Sequence, residues 1–200
     1  MAEWETITKE EFYRRLPPGM ESSWTELAQI PIVSGKLCFS DIWACADDYM
    51  RRTFDVPPGT YSVAIKTIAF ANGEKRVSQL RALQGSAGER GQKVEHLGVD
   101  SWYVTCFDQE VADQVFRIMT DEQRDAADQA SKNIKFAGVT NIGPDPGMIL
   151  PVAFSGFGAG YFPIFELTDR GQRVGVEVVF IGPEELERCP EQLIIEPVKD

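Results

Sequence analysis

Short apolar runs rich in β-branched and aromatic residues recur along the chain, with turn-forming residues between most of them. Runs of about four to eight such residues are typical of strands. The predicted strands are 31–39, 61–70, 75–83, 102–107, 136–140, 148–154, 162–168 and 173–181. Asn72-Gly73 and Asp169-Arg170-Gly171 predict two hairpins. The alternation from Val174 to Phe180 predicts a strand with one buried face.

Three segments carry helical signals instead. A capping box formed by Thr8 and Glu11 predicts a short N-terminal helix that ends before Pro17. Apolar residues at helical spacing predict a helix over 111–119, and a second capping box at 120–123 predicts another that runs to about 132.

This order of elements predicts an α+β fold, with a mainly antiparallel β-sheet or sandwich, a central helical pair and a short N-terminal helix. The 200 residues fit a single domain. We expect a helical extension over 1–30, a β-rich core over 31–181 and an acidic tail over 182–200. The stretch 24–30 predicts a turn of helix or a loop, 84–93 predicts a mobile loop, and no internal repeat is visible.

The segment 154–161 places Gly156, Gly158 and Gly160 around Phe157, between two apolar runs. It resembles a dinucleotide-binding loop, but such a loop must be followed by a helix. The residues that follow are aromatic and β-branched and include Pro163, which predicts a strand. The glycines therefore predict a turn or bulge between two strands.

Charge narrows the choice of partners. The net charge is −11, which argues against nucleic acid and anionic membranes and is compatible with a basic protein partner. No apolar run approaches the roughly 20 residues that span a bilayer. The acidic start of the chain, Met1 to Glu5, lacks the apolar core of a signal peptide, so we expect a cytoplasmic protein.

Cysteine and histidine usage gives little support to a metal or nucleophilic site. The four cysteines have no zinc-type spacing, and His96 is the single histidine. We expect buried, reduced thiols. Ser155 lacks the preceding glycine of a nucleophile elbow, since Ala153 stands there. No catalytic residue, cofactor or metal ligand is assigned.

Carboxylates offer two candidate sites. The first is a group of aspartates near strand ends, which either form a site or cap turns, namely Asp41, Asp47, Asp48, Asp55, Asp100 and Asp108. Asp121, Glu122, Asp125 and Asp128 form an acidic stripe on a predicted helix, which is either a solvated face or half of an interface with a basic protein.

Exposed tryptophans are a further source of binding energy. The chain has four, namely Trp4, Trp24, Trp43 and Trp102. Because Trp102 stands in a predicted strand, we expect it in the core, and we expect Trp4 to be the most exposed.

Several segments together resemble the bacterial domain-of-unknown-function family 4241. They are 31–37 with Asp41, 56–61, Arg76-Val77, Asp100 followed by Phe107-Asp108, and 154–161 with Asp169 and Gly171. The resemblance spans roughly 31–181. Relatives tend to have Gly-Asp-Gly where this chain has Gly158-Ala159-Gly160. The family has no established activity, but its members occur around bacterial toxin and immunity systems.

Two functional hypotheses follow. The first is a non-catalytic protein-binding domain, most concretely an immunity protein that neutralises a bacterial toxin through an acidic surface. Its candidate surfaces are the acidic stripe and the loop of Gly156, Phe157, Gly158 and Gly160. The alternative is an enzyme or small-ligand-binding domain that uses aspartates near the glycine loop.

Overall fold

A computed structural model describes residues 5–8, 21–69, 75–117, 119–123, 125, 129, 134, 136–141, 149–156, 158–182 and 192–195. These residues form thirteen strands: β1 (Glu5–Thr8), β2 (Thr25–Ile32), β3 (Lys36–Asp41), β4 (Arg52–Asp55), β5 (Gly59–Ala69), β6 (Lys75–Gln84), β7 (Glu89–Val99), β8 (Tyr103–Asp108), β9 (Ala137–Asn141), β10 (Ile149–Phe154), β11 (Gly160–Asp169), β12 (Gln172–Val179) and β13 (Gln192–Ile195). A 3₁₀ turn covers Ile42–Ala44, and a helical segment continues from α-helical Gln109–Val111 into π-helical Ala112–Phe116.

The strands form three antiparallel sheets. The six-stranded sheet has the order β2-β5-β6-β12-β11-β7, and the five-stranded sheet has the order β4-β3-β8-β10-β9. Strands β1 and β13 form a separate pair. The predicted antiparallel, sandwich-like α+β architecture is confirmed at this level, because apolar residues of the two large sheets form one buried cluster.

Strand alternation places the core between the two large sheets. Leu37 and Phe39 of β3 are fully buried, as are Val63 of β5 and Ile164 of β11. The strand pairing of both predicted hairpins is also confirmed. Strand β5 pairs with β6, while the turn at Asn72-Gly73 lies outside the described residues. Strand β11 pairs with β12 through a turn in which Arg170 and Gly171 have φ of 49° and 80°.

The outer side of the five-stranded sheet carries a second apolar cluster. The helical segment supplies Val115 and Phe116, which pack with Cys38 and Phe107 of the sheet. The rings of Phe107 and Phe116 lie 5.2 Å apart. The five-stranded sheet is therefore covered on both faces, by the six-stranded sheet and by the helical segment.

A central helical pair, which the sequence predicts, is not supported. The first helix is the short segment 109–116, whose π-helical turn keeps Val111 and Phe116 on the side that faces the sheet. Beyond it, residues 121–123, 125 and 129 are helical, and the other residues of 120–132 except Thr120 lie outside the described part of the chain. The capping box itself is confirmed, because Thr120 N–H donates to Gln123 Oε1 (2.9 Å) and Gln123 N–H to Thr120 Oγ1 (3.3 Å).

The two halves of the sandwich repeat one arrangement. Strands β2 to β6 correspond in order to β7, β8, β10, β11 and β12, and the six-stranded sheet is symmetric about its central pair β6–β12. In that pair Arg81 lies opposite Glu177. In the other sheet β3 pairs with β8, and Phe39 lies opposite Cys106 at the centre of the ladder. A pseudo-two-fold axis therefore passes through both sheets.

Local geometry follows the same symmetry. In the turn before β3, Lys36 N–H donates to Ser34 Oγ (3.1 Å), and in the turn before β8, Tyr103 N–H donates to Ser101 Oγ (3.3 Å). Gly35 and Trp102, each next to its serine, have the same φ of 73°. The expectation of no internal repeat is wrong for the structure, since the repeat is kept in pairing and turn geometry rather than in residue identity.

Other differences from the predicted elements have a common cause, which is pairing between distant strands. The stretch 84–93, predicted as a loop, contains most of the polar start of β7, which forms an edge strand by pairing with β11. The stretch 24–30 belongs largely to β2, which pairs with β5. Strand β12 is buried on both faces because it is central. Most of the predicted N-terminal helix lies outside the described residues, and Thr8 ends β1.

Candidate functional site

The glycine-rich segment is a crossover from the five-stranded sheet to the six-stranded sheet. It leaves β10 at Phe154 and enters β11 at Gly160, so a strand follows it, as the sequence predicts. Ser155 is fully buried, and its N–H donates to the Trp102 carbonyl (2.8 Å). Its hydroxyl lies 3.0 Å from the same carbonyl and 2.7 Å from that of Gly158. Phe157 lies outside the described residues.

Two of the glycines are required by geometry. Gly156 has φ of 61°, and a side chain there would meet Phe180 and Ile181 at 3.0–3.1 Å. Gly158 has φ of 122° and lies directly against the Trp102 indole. These glycines therefore shape the turn.

The pseudo-symmetry identifies the counterpart of this loop in the first half. Val56 N–H donates to the Gly35 carbonyl (2.9 Å), just as Ser155 N–H donates to the Trp102 carbonyl. Pro57 and Pro58 then lead to Gly59, the first residue of β5. The glycine loop and the Pro-Pro-Gly turn are thus two versions of the same crossover, which gives both a structural role.

Trp102 departs from what its position in the fold requires. A bulky residue with positive φ is rare, because the Cβ atom crowds the backbone, and its counterpart is glycine. The side chain packs edge-on against Phe154, with ring centroids 5.9 Å apart, yet it remains half exposed. The prediction that Trp102 belongs to the core is wrong, because the residue precedes β8 in a turn.

Exposed aromatic side chains lie at the same end of the two sheets as this turn. Among the described residues they are Trp43 (63% exposed), Tyr49 (82%), Trp102 (52%) and Tyr161 (71%), and together we name them the aromatic end. The ring of Tyr161 and the methyl of Met50 both reach the position that a side chain on Gly98 would occupy, at 3.3 and 3.8 Å. The glycine loop, predicted as a binding surface, borders this end through Gly158.

Asp41 holds the backbone of the aromatic end. Its carboxylate is buried and accepts three backbone N–H groups, from Trp43 at 2.9 Å, Asp100 at 2.7 Å and Ser101 at 2.6 Å. Both oxygens are therefore engaged in turn capping. Asp100 joins Asp41 through its backbone, while its own side chain is exposed. The structure thus brings together the predicted candidates Asp41 and Asp100, and their contact caps a turn.

Asp108 repeats this arrangement at the opposite end. Its carboxylate is buried and accepts the N–H groups of Glu110 (2.8 Å), Ser34 (2.9 Å) and Val33. A signal for both sites was present in the sequence as a serine seven residues before an aspartate, Ser34 to Asp41 and Ser101 to Asp108. Each spacing alone is too common to be recognised.

The acidic stripe is only partly described. Asp121, Glu122 and Asp125 are helical and exposed, and Asp128 lies outside the described residues. Exposure is compatible with both sequence interpretations, a solvated face and a partner surface.

Sequence reasoning missed a charged cluster on the outer face of the six-stranded sheet. Glu177 is buried and forms an ion pair with Arg90, and Arg81 lies opposite Glu177 in the sheet. Burial raises the pKa of Glu177, which the nearby Arg90, Lys66 and Arg81 only partly oppose. The Arg81 guanidinium stacks 4.0 Å from the Trp24 ring. The Arg90–Glu177 ion pair and the stacking of Arg81 on Trp24 therefore lie at the centre of this sheet, where they contribute to its packing.

The three described cysteines are free and buried, as predicted for Cys38, Cys45 and Cys106. Burial raises the pKa of Cys38 to about 11 and raises the pKa of Cys45 and Cys106 as well. Cys189 lies outside the described residues.

In the described part of the chain, no three His, Cys, Asp or Glu residues are grouped closely enough to hold a metal ion. Every helical segment in that part falls short of the length and apolar character that crossing a bilayer requires. No known protein family, curated protein or solved structure matches the chain.

Proposed function

We infer that this chain is a non-catalytic protein-binding domain whose partner is a basic protein. The observation that carries this inference is the asymmetry of an otherwise symmetric molecule. At one end the exposed side chains of Trp102 and Tyr161 stand at positions whose counterparts at the other end are Gly35 and Thr60. Aromatic residues that the fold does not require are typical of binding surfaces.

Charge supports a basic partner. The chain carries −11 at neutral pH, and an acidic protein attracts a cationic one over distances set by the salt concentration. An immunity protein that covers the basic cleft of a bacterial toxin is the most concrete form of this function. The resemblance to the domain-of-unknown-function family 4241 adds the toxin and immunity context, and membership of that family is part of the same proposal. A cytoplasmic location fits such a role.

The alternative is an enzyme or small-ligand-binding domain, in which aspartates near the glycine loop would form the site. Asp41 is the best placed of them, but both its oxygens accept backbone N–H groups. A thermal-shift screen with nucleotides, sugars and divalent metals separates the two functions, because a ligand of the folded state raises the melting temperature. A reproducible rise that Asp100→Ala removes would favour the alternative.

Capture from the native organism tests the proposed function. The immobilised chain is exposed to cell extract at about 0.05 M and about 0.5 M salt, concentrations between which screening strengthens markedly. We expect a basic protein that is retained at low salt and released at high salt, and co-expression with this chain should suppress that protein's toxicity. Recovery of no basic protein at low salt would contradict the function.

A further inference from the structure

The two ends of the sandwich provide an internal comparison. Trp102 has Gly35 as its counterpart, since both follow the capping serine and share the same φ. Pro31 and Gly98 are equivalent, since each stands three residues before the capping serine. Tyr161 pairs with Gly98 and Thr60 pairs with Pro31, so Thr60 is the counterpart of Tyr161. The same backbone is thus built at the opposite end without these aromatic rings.

Trp43 extends the comparison. Its N–H donates to Asp41 Oδ1 at 2.9 Å, and the N–H of Glu110 donates to Asp108 Oδ1 at 2.8 Å. The two N–H groups serve equivalent carboxylates, so Trp43 corresponds to Glu110. At three equivalent positions, one end therefore presents Trp, Trp and Tyr, and the other presents Glu, Gly and Thr.

The position of Trp102 adds to this contrast. Glycine adopts positive φ at no steric cost, and a tryptophan there is strained. Strained residues that the fold does not need are found where function selects them. The half-exposed Trp102 ring is held between Phe154 and Gly158, so its orientation is fixed before any partner arrives.

Two exposed carboxylates belong to the segments that carry the aromatic residues. Asp47 is exposed, and its Oδ1 accepts the N–H of Tyr49 at 2.8 Å. Asp100, two residues before Trp102 in the chain, is exposed as well. Within the described part of the chain, neither carboxylate takes part in an ion pair. Aromatic faces attract cations, and unpaired carboxylates add hydrogen-bond acceptors for the same groups.

We propose that the aromatic end is the docking surface for the basic partner, and that it holds an arginine- or lysine-bearing segment whose cations stack on Trp102, Trp43 and Tyr161. This proposal rests on the proposed function and gives it a location. Aromatic rings with carboxylates also suit a sugar, but the net charge of −11 favours the cationic protein segment.

A symmetry-guided variant tests the location. Trp102→Gly with Tyr161→Thr installs the residues of the opposite end and leaves the net charge unchanged. The control is Val33→Thr, which removes exposed apolar surface at the opposite end. The probe is a hepta-arginine peptide amide, and its dissociation constant is measured at one fixed salt concentration for all proteins, after far-UV circular dichroism has shown each to be folded.

We expect at least a tenfold weaker affinity for the double variant and an unchanged affinity for the control. Equal affinities for wild type and double variant would overturn the proposal, because the peptide would then respond to charge alone. A soluble oligosaccharide that binds the wild type and not the double variant would also overturn it.

Partner capture distinguishes a failure of the proposed location from a failure of the proposed function. If the wild type captures a basic protein and the double variant captures it equally well, the location fails and the proposed function stands. If the wild type captures none, the proposed function fails. Capture of that protein by the wild type and by Val33→Thr, but not by the double variant, supports the location.

Discussion

Asp41 and Asp108 perform the same task at opposite ends of one strand pair. Each ends its strand, each accepts the N–H of the residue two positions later, and each accepts two N–H groups from the turn that precedes the partner strand. Asp41 lies opposite Val104 in the β3–β8 ladder, and Asp108 lies opposite Leu37. Each aspartate therefore fastens a turn of the other half of the molecule, and the two halves are joined reciprocally.

Asp41→Asn and Asp108→Asn should destabilise the protein to a similar extent. An amide has one acceptor oxygen, so at least one buried N–H loses its partner at each site. We expect a loss of roughly 2–3 kcal/mol in the free energy of unfolding for each variant. Urea denaturation measures it. The control Asp55→Asn removes an exposed ion pair with Lys36 and should cost below about 1 kcal/mol. Losses no greater than the control's would contradict the capping role.

At position 102, glycine should be a better replacement than alanine. Because Trp102 has φ of 73°, Trp102→Ala keeps the strain and loses the contact with Phe154, whereas Trp102→Gly relieves the strain. We expect Trp102→Gly to be more stable than Trp102→Ala by about 1 kcal/mol, and Gly35→Ala to destabilise by a similar amount. Thermal unfolding of the three variants measures both differences. The reverse order at position 102 would show that the backbone is not left-handed there.

Glu177 should make stability depend on pH. Burial raises the folded-state pKa of Glu177 above the value of 4.5 in an unfolded chain, so the folded state takes up a proton first as the pH falls. The resulting stabilisation is complete below pH 4.5 and is lost as the pH rises through the folded-state pKa. Relative to Glu177→Gln, the wild type should therefore gain stability on acidification toward pH 4.5. Urea denaturation across this range measures the difference, and a constant or opposite trend would refute the shift.

The described cysteines should resist alkylation. Burial raises the pKa of Cys38 to about 11 and raises those of Cys45 and Cys106, so few thiolates exist at pH 8 and reagents cannot reach them. Mass spectrometry after iodoacetamide treatment should find these three residues labelled only in denaturant. Rapid labelling of Cys45 in the native protein would contradict its burial.

The local parts of the fold could be predicted from the sequence. Strand runs, the two hairpins and the capping box at Thr120 depend on neighbours in the chain, and their residues carry the signal. The polar edge strand β7 could not be predicted, because its place depends on pairing with β11, which begins at Gly160. The predicted helical pair is not supported, because the first helix is the short segment 109–116, in which Val115 and Phe116 cover the sheet.

The candidate site was predicted only in part. The glycine loop was recognised as a turn between strands, which its chemistry dictates. The aromatic end was not recognised, because Trp43, Trp102 and Tyr161 come to the same end of the sandwich only when β3, β7, β8 and β11 pair as they do. The repeat escaped detection because its core positions keep apolar character without identity, as Leu37 and Val104 illustrate. Most of the segments behind the family resemblance turn out to be strand-end and turn residues of this repeat, including Gly35, Asp41 and Asp108.

The most direct test of docking at the aromatic end is an NMR titration of the ¹⁵N-labelled chain with the hepta-arginine peptide. Each tryptophan contributes one indole N–H signal, assigned through single Trp→Phe variants. We predict that the signals of Trp43 and Trp102 shift in a saturable manner while that of Trp24, stacked under Arg81, stays in place. Shifts confined to Trp24, or unchanged signals for Trp43 and Trp102 at saturating peptide, would contradict it.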